Sequence, residues 1–211
     1  MSGDTPVRKG PMIESTEVTE ALERLVAALH ARNATLATAE SLTGGLVGAA
    51  LTDIAGISTV YRGGVVVYAT ELKARLAGVP DEVLDAHGPV HPDTAAAMAA
   101  GVRAQLGATY GVATTGVAGP DPQDGHPAGE VYVAASGPGG TEVRSLRLAG
   151  GRAEVRAGAV AAALRLAAEL VESDDEHRAR DTPWTVEGDG DPPPGTVGGL
   201  PCETGIRPEG S

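Results

Sequence analysis

TLATAESLTGGLVGAAL, residues 35–51, decides the fold. Thr35 to Thr38 is too short for a helix and runs into a glycine-containing turn, as a buried strand does. Leu46 to Leu51 then resumes as helix. A strand that turns into a helix through Ser41-Leu42-Thr43-Gly44-Gly45 is the opening of an α/β unit.

The flanking sequence repeats the alternation. Upstream, Ser15 and Thr16 are N-cap candidates, with Glu17 and Glu20 where the helix dipole favours acids. Val18, Leu22, Leu25, Val26 and Leu29 recur at helical spacing to about Arg32. Downstream, Val65 to Tyr68 is a β-branched run, and Thr70 caps a short helix through Leu76. Pro92 and Asp93 open an Ala-rich helix through about Leu106. Val112 to Thr115 is a strand ending in Gly116. Val131 to Ala135 and Val143 to Leu148 are strands that can pair through the turn at 137–140. Arg152 to Glu172 closes the body as helix. The expected fold is α/β: a layered sheet of mixed parallel and antiparallel strands, with helices on both faces.

The chain has 211 residues, and 42% of them are apolar. That suits one folded body of about 150 residues with extensions. Aromatic residues make up 2%, with no Phe, so the core must be built from Ala, Val and Leu. The net charge of −12 offers no basic footprint for nucleic acid. Cys202 is the sole cysteine, which excludes an internal disulfide and any cysteine-based zinc site. Residues 1–16 hold no apolar signal segment, and no run reaches the length of a membrane span, so a cytoplasmic protein is expected. Residues 1–13 read as a flexible segment and 14–172 as the domain. Residues 173–211 carry nine acids and three Arg, with seven Gly and six Pro. That composition predicts a disordered acidic tail.

In open α/β sheets, sites lie where strands give way to loops and helix starts. Three junctions qualify: 39–45, 68–73 and 115–120. At the first, Ser41 is expected at a helix start, where unpaired amides could form an oxyanion hole; as plain structure it would be an N-cap. At the second, the chain's bias is informative: it has 14 Arg and two Lys. Lys73 can lose its proton, as Arg cannot, and a desolvated lysine beside another cation can act as a base; otherwise it is an exposed helix cation. Tyr68 points to the same junction, as a proton relay or as a half-buried strand residue. The third junction is glycine-rich without being a phosphate loop. His87 and His91 stand at a metal-like spacing, but Gly88-Pro89 breaks the helix that would align them, and no metal site is expected. His126, in the loop after the third junction, reads as a solvated residue.

Together these junctions resemble the CinA C-terminal domain family, the nicotinamide mononucleotide deamidases. The family pattern A-E-S-x-T-G-G stands as Ala39 to Gly45, and D-x-x-G-x-S as Asp53 to Ser58. G-x-V-x-Y-x-x-x-x-K stands as Gly64 to Lys73. T-G-x-A-G-P stands as Thr115 to Pro120, with P-x-G-x-V as Pro127, Gly129 and Val131. The resemblance covers about residues 15–172. The chain departs at Leu42, where Cys is frequent, at Thr70 for Asn, at His91 for Ser and at His126 for Lys.

The resemblance implies a Ser/Lys amidohydrolase that needs no cofactor. Ser41 would be the nucleophile, Lys73 the general base and Tyr68 the assisting hydroxyl. Thr43, Gly44, Gly45, Thr70, Thr115, Gly116, Ala118, Gly119 and Arg152 would bind a small-molecule nucleotide, and amides near Thr43 and Gly44 would hold the oxyanion. It also implies a homodimer or higher homo-oligomer, no membrane partner, and the stand-alone form that lacks the family's molybdopterin-binding-like domain. Two rivals accompany it: a silent module binding a nucleotide or protein in competence or DNA-damage responses, and an amidohydrolase for another small amide.

Overall fold

The strand β1, Leu36–Glu40, is buried along its whole length, as a strand covered on both faces must be. In the computed structural model, which describes residues 16–181 and side chains to 174, β1 pairs in parallel with β2 (Tyr61–Val66) and β3 (Tyr110–Gly116). Antiparallel pairing adds β4 (Glu130–Gly137) and β5 (Gly140–Arg147), giving the order β2-β1-β3-β4-β5. This is the expected mixed sheet.

Side-chain alternation along the strands divides the core. Leu36, Val112, Val131 and Val133 face α1 (Thr16–Ala31), α2 (Leu46–Thr52) and α6 (Arg152–Asp181). Ala37, Ala39, Ala113 and Ala134 face α3 (Thr70–Ala77) and α5 (Pro92–Gln105). The small second face lets α5 approach closely. A side chain on Gly111 would place its Cβ 2.1 Å from the Ala99 carbonyl oxygen, and one on Gly101 would sit 1.9 Å from that of Ala77.

Several boundaries differ from the sequence expectation. Residues 41–45 form a turn, and α2 begins only at Leu46, so Ser41 does not cap it. Thr70 is the first residue of α3, whose N-cap is Ala69. The strand β2 ends at Val66, two residues before Tyr68, although the buried Val67 still donates its amide to the Glu40 carbonyl at 2.8 Å. A short helix, α4 (Asp81–His87), went unread; it has no fully buried residue and so no strong apolar period. The closing helix runs on to Asp181, past the expected end at Glu172, so the first nine residues of the segment expected to be a disordered tail are helical. Asp174 there accepts a 2.9 Å hydrogen bond from the Tyr110 hydroxyl. Ser15, the segment 1–13 and the tail from 182 lie outside the described residues.

Candidate active site

Glu40 ends β1 with its carboxylate buried at 2% exposure. It accepts the amides of Gly45 at 2.9 Å, Val47 at 3.0 Å and Gly48 at 2.8 Å. A carboxylate this buried is stable only when its lone pairs are met, and here the start of α2 meets them. Gly45, with φ 97°, provides the left-handed residue that turns those amides inward. From the other side, α6 clamps the turn: Arg156 donates to the carbonyls of Leu42 at 3.1 Å and Thr43 at 2.7 Å. Ser41 is therefore presented on a turn fixed from both ends.

This construction removes the Gly44 amide from the expected oxyanion hole. The amides at the start of α2 belong to Glu40, and the Gly44 amide donates to the Ser41 carbonyl at 3.0 Å. Thr43 is fully buried, its hydroxyl 2.7 Å from that of Thr114. Thr43, Gly44 and Gly45 shape the turn, and none of them lines the cleft in front of Ser41.

Lys73 comes from the first turn of α3 and is 1% exposed. Its Nζ donates to Ser41 Oγ at 2.9 Å and to the Val67 carbonyl at 3.2 Å. Burial pushes the amine down from 10.5 to about 8. Desolvation alone is the cause, so the neighbouring cation expected from the sequence has no part in it. At that value a substantial fraction is neutral near physiological pH, and the neutral amine can accept the serine proton.

Tyr68 is placed otherwise than expected. It is 60% exposed, and its hydroxyl accepts from Arg152 at 2.9 Å. It bonds to neither Ser41 nor Lys73, so it relays no proton between them in this geometry. Arg152 also donates to the Gly119 carbonyl at 3.0 Å, so the two side chains form one side of the cleft mouth.

The cleft in front of Ser41 is small and open to solvent, with a volume of about 80 Å³. Ser41, Tyr68, Thr70, Lys73, Thr115, Gly116, Ala118, Gly119 and Arg152 all line it. The wall at Gly116, φ 151°, admits no side chain, since a Cβ would lie 2.4 Å from the Glu130 carbonyl oxygen. Pro89, Val90, Asp121 and Gln123 also line it, and sequence reading missed them. Pro89 is fixed by its carbonyl, which accepts from the Thr115 hydroxyl at 2.6 Å. Asp121 is the lone carboxylate of the lining, which has no imidazole or thiol, a poor donor set for a metal. Glu40 and Arg156 were missed as well. The signals were an acid between a strand and a glycine turn, and an Arg four residues after Arg152. His126 is not merely solvated: its Nδ1 lies 2.9 Å from Glu130 Oε1.

Comparison with known proteins gives a consistent relationship. The family model described as CinA C-terminal domain matches residues 18–171. A CinA-like protein of Frankia casuarinae is 51% identical over 161 residues, covering 76% of this chain and 36% of that protein. The chain spans about a third of the length of the curated relatives it matches. Among solved structures, a CinA superfamily protein from Klebsiella pneumoniae has a TM-score of 0.71 at 35% identity, covering 76% of this chain and 99% of that one. The competence/damage inducible protein CihA from Agrobacterium tumefaciens has a TM-score of 0.69 at 34% identity, covering 76% and 97%. Among the described residues no helix is long and apolar enough to cross a membrane.

Proposed function

This chain belongs to the CinA C-terminal domain family, and from that premise we propose that it is an amidohydrolase that converts nicotinamide mononucleotide to nicotinic acid mononucleotide and ammonia. The observation that carries the reading is Lys73: a buried amine, lowered to about 8, whose nitrogen lies 2.9 Å from a serine oxygen at a cleft floor. A merely structural lysine gains nothing from that burial, whereas a general base requires it.

In the reactive form, neutral Lys73 Nζ accepts the Ser41 proton across that contact as Oγ attacks the carboxamide carbon. The C–N bond then breaks. Lys73 returns the proton to the departing nitrogen, which leaves as ammonia, and an acyl ester remains on Ser41. Water, deprotonated by the same amine, cleaves the ester to the carboxylate and restores Ser41. The proton moves directly between Ser41 and Lys73, and Tyr68 acts with Arg152 at the mouth. There the Arg152 guanidinium suits a nucleotide phosphate, and the Asp121 carboxylate suits a cationic pyridinium ring. The enzyme is expected in the cytoplasm, where pyridine nucleotides are recycled, and as a homo-oligomer.

The test is incubation with nicotinamide mononucleotide, following ammonia and nicotinic acid mononucleotide together. Stoichiometric release of both supports the reading. Binding without turnover supports the silent module, and turnover of other small amides alone supports the broader amidohydrolase.

A further inference from the structure

The helix break at Gly88-Pro89 does not separate His87 from His91. α4 ends at His87, and Gly88, with φ 75° and ψ −175°, reverses the chain; α5 starts at Pro92 with His91 as its N-cap. The two imidazoles are thereby stacked, with ring centroids 4.2 Å apart and planes 6° from parallel. Asp93, in the first turn of α5, completes a cluster whose ligand atoms lie within 4.8 Å of one another. Its Oδ2 is 3.3 Å from His87 Nε2 and 3.6 Å from His91 Nδ1. Ligand atoms held about 2.0–2.1 Å from a tetrahedral zinc lie about 3.3–3.5 Å apart. The two Asp93 edges are close to those of such a site, and binding requires the imidazoles to rotate out of their parallel stack so that both in-plane nitrogen lone pairs meet one ion.

We propose that His87, His91 and Asp93 form a binding site for one divalent transition-metal ion of the zinc class. Two imidazoles and a carboxylate suit Zn²⁺, Ni²⁺ or Cu²⁺ better than the oxygen-preferring Mg²⁺ or Ca²⁺. All three side chains are open to solvent, which provides an entry path and leaves a fourth position for water. Binding would replace the Asp93 contacts to both imidazoles, the ring stack, and the 3.2 Å hydrogen bond in which the Asp93 amide donates to His91 Nδ1. The ion would tie the end of α4 to the start of α5 across Gly88–Val90. Pro89 and Val90 of that span line the catalytic cleft, so the ion would fix one of its walls. The proposal stands apart from the deamidase reading, since no ligand of the ion lines that cleft.

The test is titration of the full chain with Zn²⁺ against a chromophoric chelator, beside His87→Asn, His91→Asn, Asp93→Asn and the double histidine variant. Asn caps helices well, so His91→Asn keeps the start of α5. The wild-type chain is expected to bind one zinc more than the double variant, and each single change to weaken that zinc about tenfold or more. Ni²⁺ is expected to broaden the His87 and His91 ring signals in the NMR spectrum of the wild-type chain first. Equal zinc stoichiometry and affinity in the double variant, or His87 and His91 signals untouched by Ni²⁺, would overturn the site.

Discussion

Lys73→Met keeps an unbranched apolar stem that ends where the lysine Cε lies, with sulfur in place of Cδ, and removes the amine. In the folded protein the amine titrates at about 8, against 10.5 in its ordinary state. Below pH 8 both folded and unfolded chains hold the proton, and the folded chain bears the full cost of a buried ammonium. Between 8 and 10.5 the folded amine is neutral while the unfolded one still binds a proton, so the cost shrinks as pH rises. Above 10.5 it is gone. Lowering the amine from 10.5 to about 8 corresponds to about 3 kcal/mol, of which about 2 kcal/mol is relieved between pH 7 and pH 9.5. The methionine variant has no such group. Packing changes and the hydrogen bonds lost to Ser41 and Val67 are constant with pH, and other titrating groups are common to both proteins. Urea unfolding at pH 7 and pH 9.5 should therefore show the stability of the wild-type chain rising relative to Lys73→Met by about 2 kcal/mol. Parallel pH dependences in the two proteins would refute the buried, depressed amine and remove the ground for calling it a base.

The same value sets the activity profile: kcat/KM for nicotinamide mononucleotide should rise about fivefold from pH 7 to pH 8 and level off above 9, as measured by ammonia release. A profile falling over that range would contradict a neutral-lysine base. Glu40→Ala leaves three amides of a buried helix start without an acceptor, at roughly 1–3 kcal/mol each before water enters. A stability loss of about 3–5 kcal/mol in urea is expected, with a smaller loss for Glu40→Gln, which keeps an acceptor. Gly64→Ala places a Cβ 2.0 Å from Thr38 Oγ1, across the β1–β2 pair. It should lower stability by about 1–3 kcal/mol in thermal unfolding.

The sequence carried most of the fold because strand and helix signals alternated in short, clean blocks. It carried Lys73 because lysine is rare among so many arginines, and Ser41 because it stood in a glycine turn after a strand. The details that failed depend on where backbone amides point. Whether the amides after Ser41 serve an oxyanion or the Glu40 carboxylate is decided by the left-handed turn at Gly45, which pattern reading does not orient. The partner of Tyr68 is likewise set by α6, more than 80 residues away. His87 and His91 were read through the helix they do not share, and a reversal at Gly88 stacks them all the same.

The central claim is that Ser41 and Lys73 act as nucleophile and base in one reaction. It is tested most directly by comparing deamidation by the wild-type chain, Ser41→Ala and Lys73→Arg at saturating nicotinamide mononucleotide. Guanidinium stays protonated at any working pH. The account predicts ammonia release by the wild-type chain, and loss of rate in both variants to the same residual level, about a thousandfold or more lower. It also predicts nucleotide binding by Lys73→Arg within a few-fold of wild type. A Lys73→Arg protein that still turns over, or a Ser41→Ala protein that retains more than about a hundredth of the rate, would contradict it.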